Sequence, residues 1–333
     1  MSKIKPSKGA PYARIMGVGG YRPTRVVPNE VILETIDSSD EWIRSRSGIA
    51  TRHWASPEET VTAMSVEASG KAIADAGITP EQIGGVIVST VSHFKQTPAV
   101  ATEIADRIGA NKPAAFDISA GCAGFGYGLT LAKGMVVEGS AEYVLVIGVE
   151  RLSDLTDLED RATAFLFGDG AGAVVVGPAN EPEIGPTVWG SEGDKSETIK
   201  QTVPWTDYRE GSVDKFPAIT QEGQAVFRWA VFEMAKVAQQ ALDAAGISAA
   251  DLDVFIPHQA NMRIIDSMVK TLKLPEHVTV ARDVETTGNT SAASIPLAME
   301  RLLATGQAKS GDTALVIGFG AGLVYAATVV TLP

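Results

Sequence analysis

A single cysteine, Cys122, stands in the run Ser119-Ala120-Gly121-Cys122-Ala123-Gly124-Phe125. Residues 114–116 before it read as a strand, and those after it continue as an apolar helix to about Glu138. The thiol then sits at a strand-to-helix junction. Backbone N–H groups and the helix dipole at such a position favour a thiolate, which lowers the thiol pKa and makes a nucleophile for covalent catalysis. The opposing reading of a lone cysteine is an inert, buried small hydrophobe. Glycines as dense as those around Cys122 are costly in a helix, so close approach of another backbone or a ligand is one reason for them. Two further segments carry polar chemistry. Pro257-His258-Gln259-Ala260-Asn261 follows the apolar stretch Val254-Phe255-Ile256, and Gly288-Asn289-Thr290-Ser291 precedes a helix of small residues. Sites in open α/β sheets gather at such strand ends. Taken singly, His258 reads equally well as a satisfied half-buried histidine, and Asn289 as a turn residue after glycine. The other histidines, His53, His93 and His277, lie in polar, exposed-looking surroundings.

The rest of the chain must position these groups. It has 333 residues, 28 Lys plus Arg against 40 Asp plus Glu, and a net charge of −12. With 45% hydrophobic and 20% charged residues it reads as an ordinary soluble protein of two domains or one large fused one. Its longest apolar runs, Tyr143–Val149 and Leu323–Val330, fall far short of the ~18 residues needed to cross a bilayer. No apolar segment follows the N-terminal lysines, so a secretory signal is not expected. One cysteine excludes an intrachain disulfide and a multi-cysteine metal site. The acidic balance argues against nucleic acid as the main partner. A cytoplasmic setting fits these features.

An internal repeat organises the sequence. Ala74-Asp75-Ala76-Gly77-Ile78-Thr79-Pro80 leads into Val86-Ile87-Val88, and Asp243-Ala244-Ala245-Gly246-Ile247-Ser248-Ala249 leads into Val254-Phe255-Ile256, with the glycines 169 positions apart. Leu145-Val146-Ile147-Gly148 recurs 170 positions on as Leu315-Val316-Ile317-Gly318. Preserved order and spacing indicate a duplicated fold. Each copy reads as an amphipathic helix closed by glycine, then a turn and a buried strand. Further strands are expected at Ala114–Ile118, Tyr143–Val149, Ala171–Val176, Thr313–Ile317 and Leu323–Val330. Helices are expected at Thr62–Ala76, Ala99–Ile108, Cys122–Glu138, Gln221–Ala245, Asn261–Leu272 and Ser291–Ala304. Continuously apolar strands imply sheets covered on both faces, hence a layered α/β protein. Gly193–Pro217 has little periodicity and reads as an excursion. The clusters Gly17-Val18-Gly19-Gly20 and Gly168-Asp169-Gly170-Ala171-Gly172 lack the strand-to-helix context of a dinucleotide loop and read as tight turns between strands.

In combination, the motifs around Cys122, His258 and Asn289, with Gly318-Phe319-Gly320-Ala321-Gly322, resemble the β-ketoacyl-acyl carrier protein synthase III family. These are the initiating condensing enzymes of bacterial type II fatty acid synthesis. Asp40-Glu41-Trp42-Ile43, Arg46-Ser47-Gly48-Ile49 and Phe167-Gly168-Asp169-Gly170 are also similar, so the resemblance runs from about residue 14 to 331. It implies a thiolase-like fold of two duplicated αβ halves, here 11–185 and 186–333, forming a layered αβαβα structure. It further implies that Cys122 takes the acyl group of an acyl-coenzyme A primer and that malonyl-acyl carrier protein then decarboxylates. The carbanion attacks the bound acyl group, while His258 and Asn289 donate hydrogen bonds to the thioester oxygen. The amides of Cys122 and Ala321 would form an oxyanion hole, with alanine standing where many relatives carry a third glycine.

The resemblance also assigns binding residues. Trp42 and Arg161 would sandwich the coenzyme A adenine, Arg46 would meet its phosphates and Asn261 the pantetheine arm. Coenzyme A enters as a substrate thioester, with no permanently bound cofactor and no metal. Arg263 and Lys270, seven apart on one helix with Lys273 beyond, and Arg228 would form a basic patch for the acidic carrier protein; the plainer reading is a solvated face. Thr97 stands where relatives place an aromatic from the partner subunit that closes the primer pocket, so a homodimer and a deeper pocket are implied. Rival readings are a cysteine hydrolase, a degenerate scaffold, or a condensing-enzyme relative that loads or transfers starter units in secondary metabolism.

Overall fold

The computed structural model describes residues 4–333. Two five-stranded sheets carry the architecture. The first runs Tyr12–Tyr21, Asp169–Ala179, Tyr143–Arg151, Ile83–Ser89, Ala114–Ile118 from edge to edge. The second runs Val188–Ser191, Val324–Thr331, Thr313–Gly320, Val254–Pro257, Thr279–Val280. In both, the first three strands in these orders pair antiparallel and the remaining pairs are parallel. The two sheets are therefore copies in strand order and direction, which is the duplication the repeat predicts.

Helices fill three layers around them. Val61–Asp75 and Val100–Ile108 cover the outer face of the first sheet, and Gly223–Ala245 and Met262–Leu272 that of the second. Gly124–Glu138 and Ser294–Ala304 lie between the sheets and touch strands of both. Their small and apolar residues are explained by this enclosure: a helix with sheets on both sides has no polar face to spare. The central core includes Phe125, Leu129, Ile295 and Met299 together with Val146, Val174, Ile256 and Val316 from the strands. The layered αβαβα arrangement matches the sequence expectation.

One expectation needs correction. The clusters at 17–20 and 168–172 are not turns: they lie within or at the start of the strands Tyr12–Tyr21 and Asp169–Ala179. A side chain there would strike a packed helix. A Cβ on Gly17 would fall 2.3 Å from the Ala76 nitrogen, one on Gly19 2.2 Å from the Ala68 oxygen, and one on Gly172 2.7 Å from Pro296. These glycines let helices approach the sheet. The excursion 193–217 stands apart from both five-stranded sheets, as expected. It holds a short helix, Trp205–Arg209, and a strand, Ile199–Gln201, paired with Ile219–Gln221.

Candidate active site

Three strand ends and a helix-preceding loop bring the candidate residues together. After the strand Ala114–Ile118, the chain makes a short 3-10 turn, Gly121–Ala123, before the helix Gly124–Glu138. Cys122 sits in that turn. His258 directly follows the strand Val254–Pro257, where its amide donates to the Ile317 oxygen at 2.7 Å. Asn289 pairs with Phe167 as an isolated parallel bridge, exchanging backbone hydrogen bonds with Leu166 and Gly168. Cys122, His258 and Asn289 all line one cavity of about 420 Å³, together with Ser291, Gly320 and Ala321.

The turn Gly320–Ala321 closes tightly on Cys122. A Cβ on Gly320 would lie 3.0 Å from both the Cys122 sulfur and its amide nitrogen, and one on Gly318 3.0 Å from the Cys122 oxygen. Gly121, at φ +48°, approaches the Ala321 nitrogen in the same way. The non-glycine residues with positive φ among those described are Lys112, Lys273 and Ser291, so Ala321 carries its methyl group without left-handed strain.

Burial sets the protonation of the site. His258 is 2% exposed, and burial pushes its imidazole down to about 3, so the ring is neutral. Its Nδ1 is 2.7 Å from the Ser294 hydroxyl, which also accepts from the Gln259 amide at 3.4 Å. This contact ties the neutral ring to the start of the helix Ser294–Ala304. The Asn289 Oδ1 accepts from the Ser291 amide at 2.9 Å, which orients the carboxamide and leaves Nδ2 as the free donor. A neutral imidazole and an oriented carboxamide thus line this cavity together.

Cys122 departs from expectation. It is partly exposed to the cavity yet shielded from bulk water, and burial pushes its thiol up to about 12. A hydrogen bond with the Ser291 hydroxyl opposes this rise, and the nearby Glu150 carboxylate adds to it. The thiol made acidic by its helix terminus is therefore not found. The 3-10 turn puts Cys122 ahead of the first α-helical turn, and loss of water is the largest cause of the rise.

A second cavity of about 590 Å³ lies next to the first, sharing Gln221, Val226, Ala260 and Asn289 as walls. Trp42, Arg46, Asn261, Arg228 and Arg263 line it. Ser39 caps the helix Asp40–Ser47, accepting from the Trp42 amide at 3.1 Å, and this sets Trp42 and Arg46 on one face. Arg46 lies 5.7 Å and Arg161 4.9 Å from the Trp42 ring centre. A base between Trp42 and Arg161 needs roughly 7 Å, two van der Waals contacts, so this pair is self-stacked here rather than open. Asn261 caps the helix Met262–Leu272 and donates to the Arg46 oxygen at 3.0 Å, tying the two walls together. Arg263 stacks over Phe227 at 4.8 Å. Arg228, Arg263, Lys270 and Lys273 are exposed, but Lys270 and Lys273 line neither cavity, and Lys273 lies just past the helix end in a left-handed conformation. Thr97 is exposed and also lines neither, although its neighbours His93 and Gln96 reach the Cys122 cavity. Among the described residues no group of three or more His, Cys, Asp or Glu is placed to hold a metal.

Sequence reasoning missed Ser291, Ser294, Glu150 and His93. Ser291 and Ser294 were visible within Asn289-Thr290-Ser291-Ala292-Ala293-Ser294, but only as small residues. Glu150 is fully buried at the end of the strand Tyr143–Arg151, and an acidic residue closing an apolar run was the available signal. His53 is half-buried, its Nδ1 2.6 Å from the Pro23 oxygen, and burial lowers its pKa.

Comparison with known proteins agrees with this arrangement. Two family models match: 3-Oxoacyl-[acyl-carrier-protein (ACP)] synthase III over residues 116–193, and its C-terminal counterpart over residues 242–332. The chain is 91% identical over 333 residues to Beta-ketoacyl-[acyl-carrier-protein] synthase III of Streptomyces glaucescens, covering all of both chains. The crystal structure of the priming β-ketosynthase of the R1128 polyketide biosynthetic pathway superposes with a TM-score of 0.97 at 45% identity, over 100% of this chain and 99% of that one. The 3-oxoacyl-[acyl-carrier-protein] synthase III of Aquifex aeolicus superposes with a TM-score of 0.87 at 37% identity, over 96% and 99%. With its duplicated sheets and its cysteine, histidine and asparagine gathered on one cavity, the chain belongs to the β-ketoacyl-acyl carrier protein synthase III family of the thiolase superfamily.

Proposed function

We propose that this protein condenses an acyl-coenzyme A primer with malonyl-acyl carrier protein, losing carbon dioxide and giving a 3-oxoacyl-acyl carrier protein, the step that opens type II fatty acid synthesis. The observation that carries the site assignment is the convergence of Cys122, His258 and Asn289 on one enclosed cavity. Cys122 attacks the primer carbonyl and keeps the acyl group as a thioester. The amides of Cys122 and Ala321 face the tetrahedral oxygen. His258 Nε2–H and Asn289 Nδ2–H then hold the malonyl thioester oxygen as enolate charge develops. Donors fixed in place before the charge forms need no reorganisation, and they act most strongly where water is excluded. A neutral histidine suits this role, because it donates a hydrogen bond without carrying charge into the cavity.

The second cavity supplies the route inward. Coenzyme A enters as a thioester substrate past Trp42, Arg46 and Arg161, with Asn261 beside the pantetheine arm, and Arg161 swings off Trp42 to admit the adenine. Arg228 and Arg263 at this mouth, with Lys270 beyond, favour an acidic carrier protein although the whole chain is at −12. The halves 11–185 and 186–333 follow sheet membership, with the nucleophile in the first and His258 and Asn289 in the second. A homodimer would bring the partner's 93–97 loop to the primer pocket, where a threonine leaves room for branched or longer acyl groups. Turnover of acetyl-coenzyme A above every longer primer would sink that last reading. No helix among the described residues is long and apolar enough to cross a membrane, and a cytoplasmic enzyme is consistent with this.

The 45% identity to a priming ketosynthase favours one second reading, a relative that loads starter units in secondary metabolism. Intact-protein mass separates the two. An acyl adduct formed from acyl-coenzyme A, absent in Cys122→Ala and discharged by malonyl-acyl carrier protein as the 3-oxoacyl product, supports condensation with fatty acid carriers. Discharge only onto another carrier supports the second reading.

A further inference from the structure

Glu150 is a buried carboxyl that the condensing mechanism leaves unused. It is 0% exposed, and no cation forms an ion pair with it among the described residues. Its hydrogen-bond donors are all small and neutral: the Ser92 hydroxyl at 2.6 Å, the Val91 amide at 3.1 Å, the Thr90 hydroxyl at 3.3 Å and the Ser291 hydroxyl at 3.4 Å. Ser291 lines the same cavity as Cys122, and hydrogen bonding by its hydroxyl favours the Cys122 thiolate. It holds that place in a left-handed backbone, φ +48°, a conformation unfavourable for serine that persists only where the surroundings enforce it. Cys122, Ser291 and Glu150 therefore form a chain from the cavity to a buried acceptor.

We propose that Glu150 accepts the proton of the Cys122 thiol, relayed by the Ser291 hydroxyl, as the sulfur attacks its electrophile. The S–H bond breaks and its proton passes to the Ser291 oxygen, while the Ser291 proton passes to Glu150 Oε1. A sulfur–carbon bond forms to the primer carbonyl, the carbonyl–sulfur bond of coenzyme A breaks, and the electron pair leaves on the coenzyme A sulfur. The same path returns the proton to that thiolate and restores the carboxylate. The role in acylation rests on the function proposed above, but the relay itself belongs to the thiol.

Burial pushes the Glu150 carboxyl up to about 7, against its hydrogen bonds from Ser92, Val91, Thr90 and Ser291, so it is poised to take a proton near neutrality. The other ionisable groups around it do not compete. His258 is neutral, the Arg151 guanidinium is paired with Asp154 at 3.0 Å, and Asp169 is occupied by Ser153 and the Ala55 amide. His93 lines the cavity wall.

Alkylation of Cys122 by iodoacetamide across pH, followed by intact mass, tests the relay without primer or carrier protein. The wild-type rate is expected to rise through an apparent pKa near 7. In Glu150→Gln and in Ser291→Ala that limb should vanish, with alkylation at neutral pH slower by on the order of 10²-fold. The sign is decisive, because a carboxylate that merely repels the thiolate predicts faster alkylation in Glu150→Gln. Faster or unchanged rates with an unmoved inflection in both variants would overturn the relay. Ser291→Ala keeps Glu150 and its other donors, so the test stands even where Glu150→Gln folds poorly. Loss of the limb alongside failed condensation would leave the relay intact and count only against the proposed reaction.

Discussion

The Ser294 hydroxyl lies 2.7 Å from Nδ1 of His258, and this hydrogen bond holds the imidazole that lines the Cys122 cavity. The two residues are 36 positions apart, and both are buried. Ser294→Ala should leave acyl-enzyme formation near wild type but slow decarboxylation of malonyl-acyl carrier protein about tenfold to a hundredfold, since a misdirected donor is nearly a lost one. Single-turnover acylation and carbon dioxide release separate the two steps. Equal losses in both would show that Ser294 serves general packing instead.

Two buried groups give stability opposite pH dependences. Glu150 is raised from 4.5 to about 7 on folding, so the folded state holds a proton that the unfolded chain has released. That contribution is fully present below 4.5 and is lost as pH rises through about 7. Glu150→Gln should therefore gain Tm relative to wild type on moving from the acidic to the alkaline side of 7. His258 is lowered from 6.5 to about 3, so its contribution is present above 6.5 and lost as pH falls toward 3. His258→Gln should flatten that acidic decline. Thermal melts of the three proteins across pH check both signs.

Gly320 has no room for a side chain. Its β-carbon would lie 2.9 Å from that of Cys122, so Gly320→Ala must displace Cys122 or the turn beneath it. Overpacking of this kind costs about 1–3 kcal/mol, and the expected result is a Tm lower by several degrees with acylation nearly abolished. A fully active Gly320→Ala enzyme would show that the turn is more compliant than its contacts imply.

Trp42 is the platform at the outer cavity, held by Phe165 edge-on at 5.5 Å and by the two arginines. Removing it in Trp42→Ala should raise KM for acyl-coenzyme A roughly tenfold, the scale of one lost stacking contact, with kcat little changed. A short acyl thioester lacking the nucleotide should show no such penalty. Equal KM increases for both thioesters would place Trp42 in the fold alone.

The sequence by itself determined the family and the architecture. Cys122, His258 and Asn289 were legible because each sits in a local run of distinctive residues at a strand end. The duplicated halves were legible because a repeat of 169 to 170 positions survives as short apolar words. Tertiary structure decided what those residues are ionically. Desolvation is a property of the enclosed cavity and not of any neighbour in sequence, so the helix-terminus argument for Cys122 pointed to a lowered thiol pKa while burial raises it. The same holds for position. Glu150 meets Ser291 across 141 residues, and the glycines at 17, 19 and 172 are glycines because helices elsewhere in the chain press on them. A local pattern records the preference of a segment for helix or strand. Which groups lose water together, and which hydroxyl stands between two acids, is settled only when the layers close.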